Sequence, residues 1–306
     1  MRLLKLMPIL PLALAACVSS PPERPVGISF GLMAADKPVA CGEAILGLGT
    51  AGSSAKLSDA RFYVHDVELI GRDGKRVPVT LSRNDWQYGG VALLDFENGT
   101  GACRGTPGTN TKLTGLVPEG DYRGLAFVIG VPVTGHDEGK AVRLNHSNPT
   151  ATPAPLDLVA MGWTWLAGRK FVKIELDPEK GVSKQSGRPA PTWNFHLGST
   201  GCSGDPVKGE AIACTNPNRI PVVLSNFNSD TQQVVLDLKQ LFANTDIEKD
   251  GGMALGCMSG VDDPDCPGIF GQIGLNMKET PSGAGNAGRI NGDGTNSRIF
   301  RAETKR

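Results

Sequence analysis

The side chains of this chain that are best suited to metal chemistry are its four histidines, His65, His136, His146 and His196. Neutral imidazoles suit copper ions, and two or three of them brought together from different strands form a site that no local motif displays. No C-x2-C or H-E-x-x-H spacing occurs in the chain. Each histidine also has a simpler interpretation, as a buried hydrogen-bonded residue or a solvent-facing loop residue. Spacing alone therefore favours the simpler interpretation and leaves a copper site open.

Three of the four tryptophans lie within residues 143–202, together with two of the histidines. The segment MGWTWLAGRKFVKIEL has the period-2 character of a strand, which predicts Trp163 and Trp165 on one face of a sheet. The segment WNFHL alternates in the same way and places His196 on the face opposite Trp193. If these strands pair, a histidine can lie near a tryptophan. A plain aromatic core patch is the commoner meaning of adjacent aromatic residues.

The elements that must position these residues are predicted to be β-strands. Residues 61–70, RFYVHDVELI, alternate strongly and place His65 on a face with apolar residues, and the turn GRDG followed by RVPVTL predicts a hairpin. Residues 124–131 are apolar on both faces, as in a central strand. Forty glycines and twenty-two prolines indicate many turns. The chain is therefore predicted to be mostly β, an antiparallel β-sandwich with long loops pinned by disulfides.

The seven cysteines divide into one at the N-terminal region, Cys17, and six that form an even set. In an oxidising compartment an even set favours three disulfides over free thiols or a metal–thiolate site. Cys202 with Cys214 and Cys257 with Cys266 would each close a short loop, and Cys41 and Cys103 are then left for each other. Six cysteines permit about fifteen pairings, so this pattern is a preference among alternatives.

The N-terminal sequence MRLLKLMPILPLALAACVSS has a basic start, a short apolar run and small residues just before Cys17. This pattern predicts a lipoprotein signal peptide over residues 1–16 and acylation of Cys17; an ordinary secretory peptide cleaved near Ala16 is the alternative. Either way the protein is placed in a bacterial cell envelope. Lipidation would anchor it to the outer membrane, on the periplasmic side or at the surface.

The remaining chain is divided into three parts. Residues 17–27 are Pro-rich and are predicted to be a tether, residues 28–278 a single β domain, and the Gly- and Asn-rich residues 279–306 a flexible C-terminal tail. The formal net charge is zero, so no basic field attracts nucleic acid. Nucleic-acid binding is therefore excluded.

The sequence also bears on a calcium site and on an enzyme active site. The acidic residues Asp262, Asp263 and Asp265 could hold calcium through carboxylates and loop carbonyls, although a solvated turn is the simpler interpretation. For an enzyme, the chain lacks a G-x-S-x-G motif, a phosphate-binding glycine loop and a convincing nucleophile with its base. The protein is therefore expected not to be an enzyme.

Five segments in the same order resemble the MbnP-like family, also called the metallo-mystery pair four-Cys-motif proteins. They are FYVHDVELI, WQYGGVALLDFENGTGAC, WTWLAGRKFVKIEL, NFHLGSTGC and GCMSGVDDPDC, and the resemblance covers roughly residues 26–275. Members of this family are periplasmic or lipid-anchored copper-binding proteins encoded beside a MauG-like di-haem peroxidase. In characterised members the peroxidase oxidises one tryptophan to kynurenine, and that residue holds copper together with histidines.

The resemblance implies a set of site residues. His65, His146 and His196 become candidate copper ligands, and Trp163 or Trp165 the tryptophan that is oxidised to kynurenine and joins them. Kynurenine replaces an indole N–H, which only donates, with an aromatic amine and a ketone that can bind a metal. Trp86 is a rival oxidation site and Trp193 a weaker one. The four-Cys motif is matched by cysteines taken as structural, namely Cys202, Cys214, Cys257 and Cys266.

The function implied is copper acquisition or handling at the envelope, with a di-haem peroxidase and the membrane as partners. In this view the chain is the substrate of its haem partner. The competing hypothesis, from a different class, is a structural or recognition lipoprotein whose tryptophans bind a sugar or a peptide without metal.

Overall fold

The computed structural model describes residues 21–148, 151–163, 168–185, 187–205, 212–277 and 298–305. The predicted signal peptide, Cys17 and Trp165 lie outside these residues. The helical elements are a 3-10 turn at Val159–Met161 and the helices α1 (Leu238–Leu241) and α2 (Cys266–Ile273). The strands are β1 (Glu23–Ala34), β2 (Lys37–Pro38), β3 (Ala44–Leu48), β4 (Ser53–Gly71), β5 (Arg76–Pro78), β6 (Thr80–Leu81), β7 (Gln87–Tyr88), β8 (Val91–Asp95), β9 (Lys112–Pro118), β10 (Tyr122–Ile129), β11 (Thr134–Asp137), β12 (Lys140–Arg143), β13 (Val172–Pro178), β14 (Trp193–Leu197), β15 (Thr200–Ser203), β16 (Ala213–Asn216), β17 (Ile220–Leu224), β18 (Gln232–Asp237) and β19 (Phe300–Thr304).

Two large sheets and two small ribbons hold these strands. The first sheet has the order β19-β18-β1-β9-β6, with β2 paired to β1. The second has the order β14-β13-β4-β10-β17, with β3, β5 and β8 also paired to β4 and β7 paired to β8. The ribbons are β11-β12 and β15-β16. The pairing of β1 with β18 is parallel and the other strand pairs are antiparallel, which confirms the predicted mostly antiparallel architecture.

An aromatic cluster joins the two large sheets. Phe30 of β1 lies 5.6 Å from Phe127 of β10 and 6.2 Å from Phe62 of β4, measured between ring centroids. Phe300 of β19 lies 5.5 Å from Phe127 and 6.2 Å from Phe62. These are edge-to-face contacts, the geometry that aromatic rings favour, and burying each ring contributes about 1.5–3 kcal/mol. The sheets therefore pack face to face, and the predicted β-sandwich is confirmed.

The structure corrects the predicted ends of the domain. Residues 23–27, predicted to be tether, are the start of β1 and pair with β9, because Val26 is buried there. The predicted flexible tail is wrong for Phe300–Thr304, which pairs with β18. The physical reason is that Phe300 fills the aromatic core, a contribution that the Gly-rich composition of the whole tail conceals. Residues 278–297 lie outside the described part of the chain.

Two internal predictions also change. Residues 136–155, whose polar composition predicts a long loop, begin within the β11-β12 hairpin, in which His136 pairs with Ala141. The predicted long strand through the two tryptophans starts only at Val172. Before it, Gly162 and Arg169 form an antiparallel bridge, and the Trp163 N–H donates to the Gly168 carbonyl at 2.9 Å, so these residues face each other and do not belong to one strand. Residues 164–167 lie outside the described part of the chain. Alternation of apolar residues is shared by a strand and by the arms of a short hairpin, so the pattern alone could not separate them.

The three predicted disulfides are all present: Cys41–Cys103, Cys202–Cys214 and Cys257–Cys266. Cys257–Cys266 ties the loop beside β14 to the start of α2, and Cys202–Cys214 links the two strands of the β15-β16 ribbon. Within the described residues, no helix has the length and apolar character needed to cross a membrane.

Candidate metal site

His146 lies in a loop whose backbone is held by its neighbour. The Asn145 side-chain oxygen accepts hydrogen bonds from the His146 N–H at 3.1 Å and from the Arg169 N–H at 3.0 Å. His146 is buried and has φ of +56°, in the left-handed region that residues other than glycine and asparagine enter uncommonly. Strained backbone of this kind is found most often at functional sites, where the surroundings enforce it.

Arg169 ties this loop together from inside the protein. Its guanidinium donates to the carbonyls of Leu156 and Ser147 and to the Ser147 hydroxyl, at 3.0–3.1 Å. The Tyr63 hydroxyl of β4 also donates to the Pro155 carbonyl at 2.8 Å. The loop that carries His146 is thus fixed to the second sheet by hydrogen bonds and does not depend on exposed contacts.

Trp163 faces the same place from the opposite side. It is half-buried, and its ring packs so closely on Gly198 that a Cβ at that position would overlap it. Gly168 plays the same role for His146, since a Cβ there would lie 3.1 Å from the imidazole Cε1. Between them is a cavity of about 190 Å³ lined by Asn145, His146, Trp163, Gly168, Arg169, Ser199, Thr200, Gly201 and Cys202.

The Cys202–Cys214 disulfide forms one edge of this site. The two cysteines are direct partners in the β15-β16 ribbon, and their sulfurs lie 3.9 and 3.5 Å from His146 Nε2. The imidazole nitrogen and both sulfurs fall within 4.8 Å of one another, a spacing that suits a metal ion. The sulfurs are bonded to each other, however, and a disulfide is a far weaker ligand than a thiolate. In this oxidised form His146 is therefore the strong ligand of the group.

His196 has a different environment, a layer of charged residues on the second sheet. Its Nε2 lies 2.8 Å from Glu175 Oε1, and Lys173 contacts both Glu175, at 3.0 Å, and Asp59. Asp59 in turn holds Arg61. These side chains alternate along β4, β13 and β14, so they share one face of the sheet and are almost wholly buried.

The charged layer shifts the pKa values of its members. Burial alone would raise the pKa of Glu175, but the His196 hydrogen bond and the Lys173 charge outweigh it and lower that pKa to about 2. Burial lowers the pKa of His196 in spite of Glu175, which favours a neutral imidazole. On neighbouring β8, burial raises the pKa of Asp95 to about 7, against the charge of Arg61. The two pKa shifts therefore favour a neutral His196 beside an ionised Glu175.

His65 lies on β4, two residues beyond the tyrosine that holds the His146 loop. It is buried, and its Nδ1 lies 3.0 Å from a carboxylate oxygen of Asp66. Its Nε2 has no hydrogen-bond partner among the described residues. A buried polar atom is normally satisfied, so an orphaned imidazole nitrogen is an unusual feature that a metal ion would explain.

The predicted site residues are therefore only partly brought together. His146 and Trp163 line one cavity, whereas His196 is occupied by Glu175. Among the described residues, no three ligand atoms other than those of His146, Cys202 and Cys214 lie within 4.8 Å of one another, so the three histidines do not form such a group. The copper-ligand set stays a prediction.

Trp193 and Trp86 lie away from the cavity and pack against the core. Trp193 is fully buried, donates from Nε1 to the Lys249 carbonyl at 3.1 Å and packs on Phe242. Trp86 packs against the edge of the core near Gly108 and does not line the cavity. Trp165, predicted beside Trp163, lies outside the described residues.

The acidic loop is braced by its own backbone. Asp263 is buried, and its carboxylate accepts from the N–H groups of Met258 and Asp265 at 2.8 and 3.0 Å. Asp265 accepts from the Gly251 N–H at 3.0 Å. The described residues place no three carboxylates within mutual ligand distance, and calcium at this loop stays a prediction.

Sequence reasoning missed the residues that shape the cavity, namely Asn145, Gly168, Arg169 and Gly198. The contacts of Gly168 and Gly198 with the imidazole and the indole required a tertiary neighbour, and no local pattern marks Arg169 as an interior brace. The adjacent pair Asn145-His146 was the one available signal, because asparagine often bonds to nearby backbone.

Comparison with known proteins supports the resemblance. The model of the family described as MbnP matches residues 23–259. The solved structure of MbnP from Methylosinus trichosporium is similar, with 46% sequence identity, a TM-score of 0.87, and coverage of 92% of this chain and 99% of that chain. No curated protein matches the chain. With a family match over most of its length and a relative of this identity, the chain belongs to the MbnP family, which is linked to copper handling.

Proposed function

We propose that this protein binds copper at the cavity between His146 and Trp163, in a site completed by oxidation of a tryptophan to kynurenine. The observation that carries the proposal is that His146 and Trp163, an imidazole and an indole that the family resemblance implies as site residues, line one cavity. Membership of the MbnP family supports copper as the metal. The role is acquisition or handling of copper, and the protein does not itself act as an enzyme.

His146 is proposed as the copper ligand at this cavity, and His65, which does not line the cavity, is kept as a second candidate ligand because the family resemblance implies it. Imidazole nitrogens suit copper, and the His65 Nε2 is buried without a hydrogen-bond partner among the described residues. His196 was the third predicted ligand. Its hydrogen bond to Glu175 supports a structural role instead, because a metal on Nε2 would leave a buried, ionised carboxylate without that donor.

The oxidised residue is proposed to be Trp163 or Trp165, with the MauG-like di-haem peroxidase as the catalyst and hydrogen peroxide as the oxidant. Two peroxide molecules each deliver one oxygen atom to the indole and leave as water, which opens the ring to N-formylkynurenine. One water then releases the formyl group as formic acid. The residue gains one oxygen and loses one carbon, and its new aryl amine and ketone can bind a metal.

The location is proposed from the N-terminal sequence. Acylation of Cys17 would anchor the chain to a membrane of the bacterial envelope, where peroxide-dependent maturation and disulfide formation are both possible. Residues from Cys17 to Pro22 would then join the lipid to β1, which begins at Glu23.

The test is to express the full chain with and without the di-haem peroxidase and to measure intact mass, the modified peptide and bound copper. The expected result is a gain of one oxygen and loss of one carbon on a peptide containing Trp163 or Trp165, with copper bound only after maturation. Trp163→Phe and Trp165→Phe identify the residue, and Trp86→Phe is the control.

The ligands are tested with His65→Asn, His146→Asn and His196→Asn on the matured protein, with the exposed His136→Asn as control. Copper loss is expected for the first two variants. An unmodified protein that takes up no copper in the presence of the peroxidase would contradict the proposal and favour a metal-free recognition lipoprotein.

A further inference from the structure

The Cys202–Cys214 disulfide differs from the other two in its surroundings. Both of its cysteines are half-buried, and Cys202 lines the cavity beside His146. In contrast, Cys257 and Cys266 are fully buried. In the third disulfide Cys41 is half-buried, but Cys103 is buried against the backbone of β4 and neither cysteine lines the cavity. A small thiol that enters the cavity would therefore meet the Cys202–Cys214 bond.

The geometry around these sulfurs fits a metal ion. Metal–nitrogen and metal–sulfur bonds of about 2.0 and 2.3 Å at a tetrahedral angle give an N···S separation of about 3.5 Å. The observed separations from His146 Nε2 to Cys214 and Cys202 are 3.5 and 3.9 Å. Two thiolates on one metal would stand about 3.8 Å apart. In the disulfide the two sulfurs are bonded, so after reduction at least one cysteine side chain must rotate to reach this separation. The β15-β16 pairing holds the two cysteines opposite each other.

We propose that reduction of the Cys202–Cys214 disulfide converts the cavity into a Cu(I) site formed by His146 and the two cysteine thiolates. Soft thiolate ligands select Cu(I) over harder ions. The choice of copper rests on the proposed function. The thiolate site itself is additional to it, and it makes the affinity for copper depend on the redox state of the protein.

The chemistry balances with a dithiol as the reductant. The dithiol gives two electrons and two protons to the protein disulfide, so that Cys202 and Cys214 become thiols and the dithiol becomes its own disulfide. Cu(I) then displaces one proton from each thiol to the solvent and keeps its oxidation state. Reoxidation of the pair removes both thiolates and leaves His146 as the group's strong ligand.

The test uses the full chain without maturation, treated anaerobically with limiting dithiothreitol and then desalted. Free thiols are mapped by alkylation and peptide analysis, and Cu(I) is titrated against a chromophoric chelator. We expect thiols at Cys202 and Cys214 first, an affinity at least about tenfold higher in the reduced protein, and about two sulfur neighbours of copper in X-ray absorption spectra.

Three variants make the outcome specific. The Cys202→Ser/Cys214→Ser double variant should show no increase in Cu(I) affinity on reduction. His146→Asn should lose most of that increase, and His136→Asn should keep it. The inference is overturned if the pair is reduced while the affinity and the sulfur signal stay unchanged, if the double variant still gains affinity, or if Cys41–Cys103 or Cys257–Cys266 is reduced first.

Failure of the proposed function would give a different experimental result. Peroxidase-treated protein, with its disulfides intact, would then lack both kynurenine and copper. The sulfur signal of the reduced protein is a separate measurement. The kynurenine-dependent copper site and the thiolate site can therefore be contradicted independently.

Discussion

Two buried histidines of the same sandwich have opposite surroundings. His196 lies on β14, where the neighbouring strand β13 supplies Glu175 and Lys173 on the same face of the sheet. His146 lies in a loop at positive φ, where its ring is pressed between Gly168 and the sulfurs of Cys202 and Cys214. The first imidazole is held by a carboxylate, and the second faces soft atoms and a cavity.

The difference shows what a regular sheet and an irregular loop each do with a polar side chain. The sheet repeats its partners in register, so a charged residue meets another at a fixed separation and the layer becomes structural. The loop needs specific hydrogen bonds with Asn145 and Arg169 to hold it, but it can place an imidazole at the wall of a cavity. Stability is therefore expected to depend on the charged layer and metal binding on the cavity.

The largest effect is expected from Lys173→Met, which breaks the charged layer. It leaves Asp59 and Glu175 buried with one cation fewer, and removing one partner of a buried pair costs about 3–5 kcal/mol. Urea unfolding measures the change. Lys180→Met is the control, because its pair with Glu248 is exposed on the lysine side and is worth about 0–1 kcal/mol. Equal losses in the two variants would contradict a structural role for the layer.

The second effect is on the cavity, through Gly198→Ala. The added methyl group would overlap the Trp163 ring, and overpacking of this kind costs about 1–3 kcal/mol. We expect a shifted tryptophan fluorescence spectrum and slower kynurenine formation. Gly271→Ala, in α2 with nothing near its Cβ, should be neutral or slightly stabilising. An unchanged spectrum in the Gly198 variant would show that Trp163 does not pack on this glycine.

The third prediction compares the two histidines directly. His196→Asn removes the Glu175 partner and should lower the free energy of unfolding by about 1–2 kcal/mol. His146→Asn should cost less than about 1 kcal/mol, because asparagine tolerates the left-handed backbone. The effect on bound copper should be the reverse: His146→Asn should lose copper and His196→Asn should retain it. If His196→Asn abolishes copper binding while leaving stability unchanged, the assignment of the two roles is reversed.

The smallest effect concerns pH. The folded-state pKa of Asp95 is raised to about 7, so the folded protein binds more protons than the unfolded chain below that pH, and stability falls as pH rises from about 4 through 7. Asp95→Asn removes this loss while its side-chain oxygen can still accept from the Glu97 N–H. We expect a flatter stability profile, with the variant gaining about 1 kcal/mol relative to wild type at pH 8.

The exposed Asp85→Asn is the control for the pH measurement, since it should leave the profile unchanged. A wild-type profile that rises between pH 5 and 8, with Asp95→Asn parallel to it, would contradict burial as the cause of the Asp95 shift.

Periodicity and composition predicted the sandwich, the strand of His65 and the strand of His196, because alternation along a strand is a local property. For the disulfides, short loops favoured the pairs Cys202–Cys214 and Cys257–Cys266, and Cys41–Cys103 was the pair that remained; the structure contains all three. The predicted strand through Trp163 was wrong, because Gly162 and Arg169 face each other in an antiparallel bridge. The predicted flexible tail was wrong at Phe300, because this residue packs on the aromatic core.

The sequence by itself determined the fold class and the family and indicated a preferred set of cysteine pairs, since these depend on local patterns and on motifs in a fixed order. Only the tertiary structure decided which histidine is held by a carboxylate and which lies beside a tryptophan and a disulfide. The reason is that Glu175, Gly168 and Cys214 reach the histidines through pairing and loop packing between segments far apart in the chain.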